Sequence, residues 1–204
     1  MFSYYFDPTY ILVIIAFLLT LFASMGVKST FSKYNDVRSS RGITAASAAR
    51  QILDANGLQN IRVEHVSGDL TDHYSPNENV IRLSDSTYNS TSVAAIGVAA
   101  HECGHAVQHQ VGYVPIKIRN GIVPIVNVCN TLSMPIFIIG LILGLGRLAM
   151  VGAILFGAVL VFQLVTLPTE INASRRAMKT LEKVCTYLRV MSLQVQGKHL
   201  RRRL

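Results

Sequence analysis

The sequence predicts a mainly α membrane protein, with three transmembrane helices and an α+β domain containing a short β-hairpin between the first and second of them. Three observations carry this prediction. The 204-residue chain is 50% hydrophobic and only 15% charged, with no Trp. Its apolar residues are gathered into two zones, residues 10–27 and 122–167, instead of being dispersed. Its net charge of +8 is concentrated at one end: residues 168–204 hold nine Lys/Arg against two Glu, while residues 28–119 hold nine against eight Asp/Glu. A chain this apolar is no disordered tail, and this uneven it is no ordinary soluble domain. A basic stretch beside an apolar run, without interleaved aromatics or a recognisable binding module, fits a membrane surface better than a nucleic acid. The expected partner is therefore the lipid bilayer, and no nucleic acid is expected.

Residues 10–27 read YILVIIAFLLTLFASMGV, without a charge until Lys28. About 20 such residues cross a ~30 Å hydrocarbon core. No Lys or Arg precedes the run, and Lys28, Lys33, Arg38 and Arg41 follow it. That order predicts a retained span with its N-terminus outside, not a secretory signal. Residues 122–167 are long enough for two spans joined around Gly144-Leu-Gly-Arg147, making a helical hairpin that returns the chain to the side it left. Pro124, Pro135, Asn127 and Asn130 predict a kinked and partly buried first arm, read most simply as interhelical packing. Gly140 and Gly144 match a small-xxx-small pattern. The resulting organisation is 1–27 N-terminal span, 28–119 domain, 120–167 helical hairpin and 168–204 helix with basic tail. Both polar parts then face the cytoplasm, in a multi-pass protein of the cytoplasmic membrane.

Within 28–119, TAASAARQILDANG (44–57) reads as an amphipathic helix capped by Thr44 and closed by Gly57. IRVEHV (61–66) and NVIRL (79–83), around a turn-rich stretch, predict the hairpin. The Ala-rich stretch SVAAIGVAAHECGHAVQHQ (92–110) has no proline and predicts one continuous helix, capped by Ser90, Thr91 or Ser92. Cys103, Cys129 and Cys185 have no metal-site or disulfide spacing and suit a reducing compartment.

Chemistry enters at HECGH. His101 and His105, four residues apart, share one helix face about 6 Å apart along the axis, a spacing that lets two imidazoles reach one tetrahedral zinc. Glu102 lies where it can take a proton from a water in the open fourth position. With six His and five Glu in the chain, roughly 0.004 chance matches to the pattern are expected. A catalytic zinc needs a third protein ligand, and the best-placed candidate is Glu170, the only acid between Glu102 and Glu182. Pro168 and Thr169 make a plausible helix start, so the alternative for Glu170 is a dipole contact in a first turn. Ser174, at i+4, either hydrogen-bonds a ligand imidazole or is a surface serine. His73 and Tyr74 either approach the substrate cleft, the phenol assisting an oxyanion, or pack in the hairpin. Arg175 and Arg176 most simply face phospholipid headgroups.

HECGHAVQ, the hydrophobic hairpin after it, ExNASRRA and the stretch GDLTDHYSPNENVIRLS resemble the YugP-like family of membrane-bound neutral zinc metallopeptidases. More distantly, they resemble the HtpX-like gluzincin-type membrane proteases. The resemblance runs from residue 9 to about 180. It implies a cytoplasmic zincin-like domain, one Zn²⁺ per chain held by His101, His105 and Glu170, and Glu102 as general base. HtpX-like enzymes carry an acid where this chain has Ser174. The end TYLRVMSLQVQGKHLRRRL also departs from the family's small-residue, apolar continuation, which bears on folding and activity more than on ligand identity. The expected function is a membrane-anchored zinc endopeptidase acting on a polypeptide substrate, a membrane or membrane-proximal protein. The alternatives are a non-catalytic membrane scaffold with a vestigial zinc site and an intramembrane metalloprotease. The second requires a longer apolar run before His101 than the nine residues present.

Overall fold

A computed structural model describes the backbone of residues 9–201 and the side chains of residues 11–183. The expectations for the basic tail, for Cys185 and for the divergent C-terminal end concern side chains outside the described residues. The elements are α1 (Thr9–Asn35), α2 (Ala45–Ala55), β1 (Arg62–His65), β2 (His73–Ser75), β3 (Val80–Leu83), α3 (Val93–Gln110), α4 (Val114–Ile142) and α5 (Gly146–Arg201). Among the described residues three helices are long and apolar enough to cross a membrane: α1, α4 and the first two thirds of α5.

Local chemistry sets the ends of the two helices that build the core. Thr44 Oγ1 accepts the Ser47 N–H (3.2 Å) at the start of α2. At its end Gly57, with φ +74°, lets the Gly57 and Leu58 N–H groups reach back to Asp54 and Leu53. Ser92 caps α3 by accepting the Ala95 N–H (3.1 Å). Ile52 and Leu53 of α2, Ile81 and Leu83 of β3, Ala99, Cys103 and Ala106 of α3, and Ala177 of α5 then close one core. Because α3 contributes mostly alanines, its backbone lies close to its neighbours on both sides.

The sheet departs from the expected hairpin. β3 is central, in the order β1-β3-β2. β1 pairs with β3 in parallel, Val63 opposite Ile81, and the antiparallel partner of β3 is β2, Tyr74 opposite Ile81. The cause lies in the connection. The Asp72 carboxylate accepts the Ser84 N–H and hydroxyl (2.9 Å each) and the Thr87 hydroxyl (3.2 Å). Pinned beyond the end of β3, the chain returns along it as β2 and turns at 76–79, where Asn79 takes φ +52°. Residues 61–66 and 79–83 are both strands, but they run in the same direction.

The helical hairpin turns at Gly144, whose φ is +67°. Gly140 lies in the interhelical contact, where a Cβ would strike the Ala149 backbone, and Gly152 meets Phe137 in the same way. The small-xxx-small pair therefore divides into a contact glycine and a turn glycine. α4 is one helix through Pro124 and Pro135 and is partly buried, at Val126, Ser133 and Gly140, while Asn127 and Asn130 themselves are exposed. The contact includes small residues, Gly140, Ala149 and Gly152, that bring the backbones together, and the buried Ser133 hydroxyl is satisfied within its own helix by the Asn130 carbonyl. α5 also corrects an expectation: no helix starts at Pro168, which lies inside α5, so Glu170 is in mid-helix. Packing of Ala173 and Ala177 against α3 outweighs the one backbone hydrogen bond that proline removes.

The α3–α5 contact is tightest at Gly104, where a Cβ would overlap the Ala173 carbonyl. Gly104→Ala is expected to cost about 1–3 kcal/mol and lower Tm. Gly97→Ala, on the same helix with nothing within 4 Å of its Cβ position, should be neutral or stabilising by up to about 1 kcal/mol. Thermal unfolding of the two variants in detergent checks the contrast, and equal Tm values would refute the close approach.

Candidate metal centre

α3 presents His101 and His105 one turn apart, and α5 crosses it at Gly104 so that Glu170 faces both. His101 Nε2 lies 3.1 Å from His105 Nε2 and 3.1 Å from Glu170 Oε2, and His105 Nε2 lies 3.4 Å from the same oxygen. Donors placed 2.0–2.1 Å from a tetrahedral ion stand about 3.3 Å from one another. Two imidazole nitrogens and a carboxylate oxygen at these separations fit zinc, and one cation satisfies three lone pairs that otherwise crowd each other.

The far side of each imidazole is held. His101 Nδ1 is 3.1 Å from Ser174 Oγ, and His105 Nδ1 is 3.1 Å from Gln108 Oε1. With each Nδ1–H donating to an oxygen, both Nε2 lone pairs point at the common centre. Gln108 is fully buried, and its amide also donates to the Thr169 carbonyl (2.8 Å) and Asn172 Oδ1 (3.0 Å). One side chain thus fixes the His105 imidazole and ties α3 to the helix carrying Glu170. Arg176, expected to face headgroups, donates to Asn172 Oδ1 (2.7 Å) and stacks over the Tyr113 ring, extending this network.

Burial opposes a charge on His105, but the Glu170 and Glu102 carboxylates outweigh it and hold its pKa above the ordinary imidazole value. The two carboxylates thus favour positive charge beside His105. Glu102 points into the same cleft, and burial raises its pKa, against the pull of the two imidazoles and a hydrogen bond from the Tyr74 N–H. A carboxylate raised in this way is a better proton acceptor near neutrality than an ordinary glutamate.

The cleft holds about 240 Å³ and is lined by His73, Tyr74, Ile116 and Arg119 besides the residues at its centre. His73 is exposed, its Nδ1 on the Thr71 carbonyl (2.7 Å). Tyr74 is half-buried with its ring edge-on to His109, and burial raises its pKa. The structure thus brings His101, Glu102, His105 and Glu170 together, sets Ser174 behind one imidazole, and leaves His73 and Tyr74 on the cleft wall. Two residues were missed by sequence reasoning. Gln108 is signalled only by its i+3 spacing from His105, and Arg119 only as a cation at the head of an apolar helix.

The family model described as "Putative neutral zinc metallopeptidase" matches residues 9–198. The chain is also 48% identical over 166 residues, 81% of its length, to the Bacillus subtilis (strain 168) protein named "Putative membrane protease YugP", and the match covers 74% of that protein. No solved structure matches.

Proposed function

Since this chain belongs to the neutral zinc metallopeptidase family, we propose that it is a membrane-anchored zinc endopeptidase cutting membrane or membrane-proximal polypeptides. The observation that carries the reading is the convergence of His101, His105 and Glu170 within hydrogen-bonding distance, with Glu102 in the same cleft. His101, His105 and Glu170 would hold zinc, which would supply Lewis acidity toward a carbonyl and a bound water. Glu102 accepts the proton of the attacking water and passes it to the leaving amine nitrogen. Ser174 and Gln108 hold the imidazoles in the tautomer that leaves Nε2 free.

The membrane side of the reading rests on α5, whose apolar length runs directly into Glu170. Lys28, Lys33, Arg38 and Arg41 after the first span support a cytoplasmic position for the site. The test is hydrolysis by the detergent-purified, zinc-loaded chain, using labelled casein and the same polypeptide joined to an apolar membrane helix. Cleavage should stop with a chelator, return with one equivalent of zinc, and favour the tethered substrate in liposomes by about tenfold or more through effective concentration. Equal rates would remove the membrane restriction, and no hydrolysis of either would leave the scaffold reading.

A further inference from the structure

Arg119 projects from the second turn of α4 into the catalytic cleft. Its side chain is 34% exposed, and its Nη2 stands 3.7 Å from Glu170 Oε1, too far for a hydrogen bond. Nε is buried without a partner. Among the described residues, none of its five N–H donors makes a hydrogen bond, although a guanidinium ordinarily uses several. Leaving a buried donor unmade is costly, and a cation near the end of an apolar helix more so. The ion pair with Glu170 offsets part of that cost, but at 3.7 Å it leaves the N–H donors themselves unused.

We infer that Arg119 is a catalytic residue whose free N–H donors receive the scissile carbonyl oxygen as it becomes an oxyanion. The inference rests on the peptidase reading and deepens it. Glu170 Oε2 lies within 3.4 Å of both imidazole nitrogens, and Arg119 approaches the other oxygen of that carboxylate. Arg119 lines the same cleft as Glu102 and the two imidazoles, so the guanidinium borders the space a scissile carbonyl would occupy if Glu102 is to deliver water to its carbon. Charge appears on that oxygen only as the C–O bond forms and the π pair moves onto it. A fixed cation aimed there acts on the transition state more than on the bound substrate. The other side-chain donors on the cleft wall are less suited: Tyr74 is packed edge-on to His109, and His73 and the neutral amide of Asn120 are exposed to water.

The test compares wild type, Arg119→Ala and Arg119→Lys as full-length, zinc-loaded protein in detergent. Turnover of labelled casein should fall about 10²–10³-fold in kcat for Arg119→Ala, with KM within about threefold and zinc near one per chain. Arg119→Lys should recover part of the loss. A second readout needs no turnover. A phosphinic pseudopeptide, whose tetrahedral oxygen mimics the oxyanion, should bind Arg119→Ala about 10²-fold more weakly, and a mercaptoacetyl peptide of the same sequence nearly unchanged. Undiminished kcat in Arg119→Ala would overturn the inference alone. So would loss of zinc, or equal weakening of both inhibitors, because Arg119 would then merely hold Glu170. Absence of hydrolysis by zinc-loaded wild type would overturn the peptidase reading, and the inference with it.

Discussion

Glu102→Gln is expected to reduce peptide hydrolysis by about 10³-fold while zinc stays near one per chain. The substitution is close to isosteric, so the cleft keeps its shape, and Glu102 is not among the three groups that converge on the centre. What disappears is proton acceptance: an amide cannot take the proton of the attacking water or return it to the amine. The Tyr74 N–H that hydrogen-bonds the carboxylate still finds the amide oxygen. Folding is therefore unaffected, and the loss falls on kcat. Zinc analysis beside a casein assay separates the outcomes. Retained hydrolysis would dismiss Glu102 as base, and loss of zinc would make the residue structural.

The second large effect is expected at the ligands themselves. His105→Ala and Glu170→Gln should each weaken zinc binding by more than about 100-fold, beyond what loss of a supporting hydrogen bond produces. His105 is 8% exposed, so its removal also strands Gln108 Oε1, the imidazole's hydrogen-bond partner. Its variant should lose thermal stability as well as metal. Glu170→Gln keeps the volume and removes the negative charge, which isolates the ligand effect from packing. Metal analysis after dialysis, with circular dichroism as the folding control, reads both. Wild-type zinc content in Glu170→Gln would move the third ligand elsewhere.

Much of this architecture is legible in the residues, and where it is not the reason is physical. Span lengths follow from hydropathy because a bilayer demands them, and the turn at Gly144 follows from a break in an apolar zone. HECGH places two imidazoles on one face by helix periodicity alone, and Ser174 follows Glu170 by the same rule. Strand partnership is different. Alternation marks residues 61–66 and 79–83 as strands but says nothing of direction, which Asp72 decides by holding the returning chain. Pro168 illustrates tertiary override, since a local stop signal yields to Ala173 and Ala177 packed on α3. Gln108 and Arg119 acquire their importance only from what lies opposite them, 61 and 51 residues further along the chain.

The uninterrupted course of α5 has a mechanical meaning. From Gly146 to Glu170 the helix rises about 36 Å, so the Glu170 carboxylate is carried partway along a stiff rod that begins at the hairpin turn. Where that rod passes the two imidazoles, the Gly104–Ala173 contact, the Gln108 hydrogen bonds and the Ser174–His101 contact hold it against α3. Bilayers differing by a few ångströms in thickness tilt long spans to different degrees. A tilt transmitted along α5 would act on the spacing of His101, His105 and Glu170, so zinc content is expected to vary with lipid chain length.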